Sequence, residues 1–174
     1  LLAAIYSLDD KDYRGIYDAL YRKIANVRNE LDNTLDFWKE IKDKTFFITG
    51  GTGFFGIWLV MSFVFINRNL NLNSKIILLT RSKNKFTNKY KWLDEYSEIS
   101  FLEGDIINFD FINEDIDYII HAATEASVKL NIEEPLAMFE TVVNGTKRIL
   151  EFAKLKKVES FLFCIKKKCY LHFS

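Results

Sequence analysis

The sequence is poor in cysteine and proline and carries no net charge. Its two cysteines, Cys164 and Cys169, lie near the C-terminus. They cannot supply a disulfide framework or a four-ligand zinc site. No metal site is expected, and a reducing, cytoplasmic setting is. Lys plus Arg number 24, as do Asp plus Glu. That balance gives no general pull toward nucleic acid or an acidic membrane, and neither is expected as a partner. The single proline, Pro135, stands where a helix is expected to begin. There its missing N–H costs nothing, and no strand or helix interior is broken by a proline. No basic stretch followed by an apolar one marks a secretory leader, and the first residue is Leu1. One nearly apolar run, Phe54–Ile66, has 13 residues. A membrane span needs roughly 20, so a buried helix is the better reading.

What is present describes an ordinary folded chain. Its 174 residues suffice for one domain with a real core and are too few for two typical ones. Aromatics make up 16%, which excludes disorder over most of the length. Residues 1–43 form a helical prefix. Ile16, Leu20, Ile24, Val27 and Leu31 recur at spacings of three and four, the pattern of an amphipathic helix. Asp9 or Asp10 could cap its start, and a second short helix is expected around Leu35–Ile41.

From Thr45 the texture changes. Thr45–Thr49, Ile76–Thr80, Ile99–Leu102, Tyr118–Ile120 and Phe161–Phe163 are short runs, apolar nearly throughout. Such runs suit strands buried on both faces of a parallel sheet. Helical stretches at Phe54–Asn67 and Pro135–Lys154 lie between them. Strand alternating with helix means an α/β, Rossmann-like, doubly wound parallel sheet of about five strands over residues 44–165.

The strongest signal is Thr49-Gly50-Gly51-Thr52-Gly53-Phe54-Phe55-Gly56. It follows an expected strand and opens an expected helix, the context a dinucleotide-binding turn requires. Glycines let the backbone turn tightly and approach a diphosphate without Cβ clashes. The helix N-terminus then offers unpaired N–H groups and partial positive charge. No Lys-Ser or Lys-Thr follows, so a P-loop nucleoside triphosphatase is not expected.

With this turn the chain resembles the extended short-chain dehydrogenase/reductase superfamily, in its NAD-dependent epimerase/dehydratase branch. Gly104-Asp105-Ile106, His121-Ala122-Ala123-Thr124 and Asn144-Gly145-Thr146 follow in the family's order, so the resemblance runs over about residues 45–163. It implies NAD or NADP as cofactor, held in the turn by Gly50, Gly53, Phe54, Phe55 and Gly56. Asp105 would accept from the adenine amino group, with Ile106 packed on the ring; alternatively Asp105 caps its own turn. Ala122 and Ala123 would be small because the dinucleotide lies against them, and Thr124 would sit near the nicotinamide ribose. His121 reads as a packed strand-end histidine. Gly145 either lets its helix approach a neighbour or is simply tolerated. No carboxylate follows the second strand to hold the adenosine ribose of NAD. Arg81 stands there instead and could hold a 2′-phosphate, stack on adenine or stay solvated.

The family oxidises a sugar hydroxyl with a Tyr-x-x-x-Lys pair, and no such pair follows the fifth strand here. The sequence instead runs into Lys166-Lys167-Lys168 and ends at Ser174. Residues 166–174 are therefore expected to be an aberrant tail, and no catalytic residue is assigned. The expectation is the NAD(P)-binding half of a nucleotide-sugar enzyme resembling a dTDP-glucose 4,6-dehydratase, inactive as it stands. A fragment of an acyl-thioester reductase and a non-catalytic dinucleotide-binding module are the alternatives. The family's homodimer uses the fourth helix and its successor, so dimerisation is not expected here. An uncovered apolar edge beside the fifth strand is expected as well.

Overall fold

The computed structural model describes residues 35–90, 93, 95–123, 133–165 and 168–173. The amphipathic helix expected between residues 16 and 31 and the position of Thr124 lie outside them. The short helix is present as α1 (Leu35–Glu40). Then follow β1 (Thr45–Thr49), α2 (Phe54–Asn69), β2 (Lys75–Thr80) and α3 (Lys83–Lys89). After these come β3 (Ile99–Glu103), β4 (Tyr118–His121), α4 (Pro135–Lys156), β5 (Ser160–Ile165) and β6 (Lys168–Phe173).

The strands form one sheet in the order β3-β2-β1-β4-β5-β6. The first five are parallel, in the expected Rossmann-like arrangement. β6 is a correction to the expected uncovered edge beside the fifth strand. It pairs antiparallel with β5, Ser160 opposite Phe173 and Ile165 opposite Lys168. The edge of β5 is thus covered, not open. The lysine run hides the reason: Lys168, Tyr170 and His172 alternate with Cys169, Leu171 and Phe173, a period of two that suits a strand.

Side-chain alternation divides the core between the two faces. Ile48, Ile76 and Leu78 pack with Ile57, Val60, Met61 and Val64 of α2. Phe47, Ile77, Leu79 and Ile119 pack on the other face with Ile149, Phe152 and Ala153 of α4. The nearly apolar Phe54–Ile66 run thus feeds the core through Ile57, Val60, Met61, Val64 and Phe65, and no described helix is long and apolar enough to cross a membrane.

Helix ends are fixed by local chemistry. Pro135 occupies the first turn of α4, and Lys157 closes it in the left-handed region at φ 53°. Buried Asn67, in the last turn of α2, holds the residue before β2, its amide nitrogen donating to the Ser74 carbonyl at 3.1 Å and its oxygen accepting from Ser74 N–H at 2.9 Å. Below the sheet, Lys44 bridges Asp117 and Glu159, and Asp117 also accepts from Thr45 N–H at 2.8 Å. This ties together the starts of β1, β4 and β5.

Candidate dinucleotide site

β1 lies between β2 and β4, and the order of connection reverses there. Open α/β sheets bind ligands at such a switch point, beyond the carboxyl ends of the strands. The glycine turn occupies that place. Gly50 follows β1 directly with φ +72°, and a Cβ there would lie 2.5 Å from the carbonyl carbon of Ala122. Only glycine lets the ends of β1 and β4 close on each other this tightly. A Cβ on Gly56 would lie 2.2 Å from the Gly50 carbonyl oxygen, so α2 presses on the turn. Gly53 differs. Its N–H donates to the Gly50 carbonyl at 3.0 Å, but a Cβ there would meet, among the described residues, only that oxygen, at 3.3 Å.

Gly53 is also the N-cap of α2, with no side chain capping the helix and no acidic residue in the first turn. The amides that open α2, beginning at Phe54, have no intrahelical partners. They supply a positive, uncapped helix end beside a glycine backbone, which suits a diphosphate. Phe55 is 56% exposed next to it.

The other expected positions fall at the same end of the sheet. Arg81 follows β2 and is exposed. Asp105 and Ile106 follow β3 by way of Gly104, whose N–H donates to the Thr80 carbonyl at 2.9 Å. Asp105 does cap its own turn: its Oδ1 accepts from Ile107 N–H at 3.1 Å. Ile106 lies against α4, where a Cβ on Gly145 would come within 2.8 Å of its Cγ2. Gly145 is therefore needed for close approach and is not merely tolerated. Ala122 and Ala123 continue β4, with Ala122 N–H donating to the Thr49 carbonyl at 3.1 Å.

His121 is packed and 2% exposed. Its Nδ1 lies 2.6 Å from Thr49 Oγ1 and its Nε2 3.3 Å from Thr146 Oγ1, and its ring stacks on Phe163. Thr49 Oγ1 also accepts from Ala123 N–H at 3.2 Å. Thr49 is fully buried, so its own hydroxyl proton needs an acceptor, and Nδ1 provides it. That assigns the proton to Nε2, which donates to Thr146. Burial pushes the His121 pKa down to about 4, so the ring is neutral in the fold. Sequence reading missed this relay, because a buried threonine at a strand end looks like any other β-branched residue.

A parallel sheet with this strand order, together with a glycine turn at its switch point, defines a dinucleotide-binding α/β protein. Comparison with known proteins narrows the class. The family model for the NAD dependent epimerase/dehydratase family matches residues 46–167, and the chain belongs to that family. It is 32% identical over 119 residues to a UDP-glucose 4-epimerase of Rickettsia bellii, covering 67% of this chain and 34% of that protein. It thus spans about a third of the length of that curated relative. Among solved structures, an epimerase of Methanothermobacter thermautotrophicus superposes with TM-score 0.59 at 26% identity, over 76% of this chain and 38% of that one. A UDP-glucuronic acid 4-epimerase of Bacillus cereus, solved with NAD, shares the fold at TM-score 0.57 and 22% identity, over 68% of this chain and 39% of that one.

Proposed function

We propose that this chain is the NAD-binding portion of a nucleotide-sugar epimerase, with a UDP-sugar as the substrate class of the whole enzyme. The observation that carries the reading is the Gly50–Gly56 turn, closed on Ala122 and opening an uncapped helix. Gly50, Gly53 and Gly56, with Phe54 and Phe55, hold the diphosphate. Ala122 and Ala123 line the path toward the nicotinamide, and Thr124 follows them in sequence. Asp105 and Ile106 take the adenine: one oxygen of Asp105 closes its own turn, and the carboxylate's further lone pairs can accept from the base. Arg81 stands beside the adenosine ribose. Bound NAD would supply a hydride acceptor for a sugar hydroxyl. The relatives support a UDP-sugar epimerase over the dTDP-glucose 4,6-dehydratase expected from sequence. A cytoplasmic setting suits the chemistry.

The present 174 residues contain no tyrosine with a lysine four positions on. We therefore expect cofactor binding without turnover. The test is a titration of the purified chain with NAD and NADP, followed by incubation with UDP-glucose. Saturable NAD binding and no sugar product support the proposal. Absence of dinucleotide binding overturns the reading, and conversion of the sugar overturns the claim of inactivity. Tighter binding of NADP than NAD would make Arg81 a 2′-phosphate ligand.

A further inference from the structure

We propose that Arg148 is a positioning residue for the adenine end of the dinucleotide site, acting by fixing the turn that carries Asp105 and Ile106. The inference rests on the NAD-binding reading above and adds a residue to it.

The Asp105–Phe109 turn is closed internally. Asn108 and Phe109 N–H both donate to the Asp105 carbonyl, at 3.0 and 2.8 Å. Closure sets the shape of the turn but not its place relative to the sheet. Gly104 N–H on the Thr80 carbonyl holds the start of the turn to β2, and two contacts from α4 hold the rest. The first is Gly145 against Ile106. The second is Arg148, whose Nε donates to the Phe109 carbonyl at 3.0 Å while a second guanidinium nitrogen donates to the same oxygen. Its guanidinium also lies over the Phe111 ring, 4.6 Å from the centroid, and over the Phe109 ring at 5.3 Å. A flat cation with forked donors can do both at once, and a lysine cannot do so equally well.

The gripped residue is itself part of the core. Phe109 is 1% exposed and packs against Phe47 of β1 and Phe152 of α4. Arg148 therefore couples α4 to a buried point at one end of the turn, and Asp105 stands at the other end. Tilting the turn would move the Asp105 carboxylate relative to the ends of β2 and β3, where the adenosine half of a dinucleotide belongs.

The experiment compares NAD with nicotinamide hypoxanthine dinucleotide, which lacks the amino donor for Asp105. The full chain should prefer NAD by about tenfold, the value of one charge-assisted hydrogen bond. In Arg148→Met the preference should fall toward one, and in Arg148→Lys most of it should return. A merely destabilising change lowers both affinities together and leaves their ratio intact. Should Arg148→Met fail to fold, Gly145→Ala displaces the same turn through Ile106 and should erode the ratio likewise. An unchanged ratio in the folded variants overturns the inference, as does a wild-type ratio near one. A wild-type chain that binds neither dinucleotide overturns the NAD-binding reading itself, a distinguishable result.

Discussion

Gly50 and Gly53 stand three residues apart in one turn and answer to different constraints. Gly50 has a left-handed backbone and no room for a Cβ against Ala122. Gly50→Ala should cost about 2 kcal/mol or more in urea unfolding, from strain and overpacking. Among the described residues a Cβ on Gly53 meets only the Gly50 carbonyl oxygen, at 3.3 Å, so a larger residue there asks for a small adjustment and should leave the fold standing. The sequence marks both as glycines of one motif but cannot separate them, because the difference lies in what β4 brings alongside. His121 is the reverse case, legible as a packed residue but not as part of a relay. Its pKa in the fold is about 4 against an ordinary 6.5. Unfolded, it takes up a proton below about pH 6.5. Its contribution to stability is therefore complete above that pH and is lost as pH falls toward 4, by at most about 3 kcal/mol. Glu98, held low by Arg68, acts in the same direction in acid. The measurement is the urea midpoint of wild type and His121→Gln between pH 7 and 4.5. The variant should show the smaller decline, and an equal decline would remove His121 as a cause.

At the scale of elements, the five parallel strands were legible because each is an apolar run, as burial on both faces demands. β6 was not, since the run Lys166–Lys168 that leads into it read as a break while its alternation is short. The segment between β3 and β4 was legible only as a motif. It has no helix or strand, and its order comes from side chains that reach the core. Phe109 is the principal one, touching Phe47, Phe111 and Phe152. Phe109→Ala should cost about 3–5 kcal/mol, the range for a buried aromatic truncated to a cavity. Thermal unfolding by circular dichroism checks this. A loss below about 1 kcal/mol would mean that the segment is held by its backbone turn instead. α4 was legible as a helix from Pro135, but not as the clamp on Ile106 and Phe109, which depends on contacts distant in sequence.

Across the whole molecule, α4 leaves an apolar stripe outward, with Leu136 77% and Phe139 64% exposed. The covered edge of β5 moves the expected aggregation surface to this stripe. Phe139→Glu should raise the concentration at which the chain begins to aggregate, with NAD affinity unchanged, as followed by light scattering. An unaltered threshold would place the sticky surface elsewhere. The family and the fold were legible from the glycine turn and its ordered companions. The UDP-sugar class proposed above was not legible there; it rests on the relatives. The account as a whole depends on the turn being a diphosphate cradle. Isothermal titration of NAD into the wild-type chain and into Gly53→Val tests this most directly. The substitution should cost about 1 kcal/mol of stability as a poorer helix cap. We predict one-site binding to wild type and at least a tenfold loss in the folded variant; equal affinities, or no binding by either, would contradict the account.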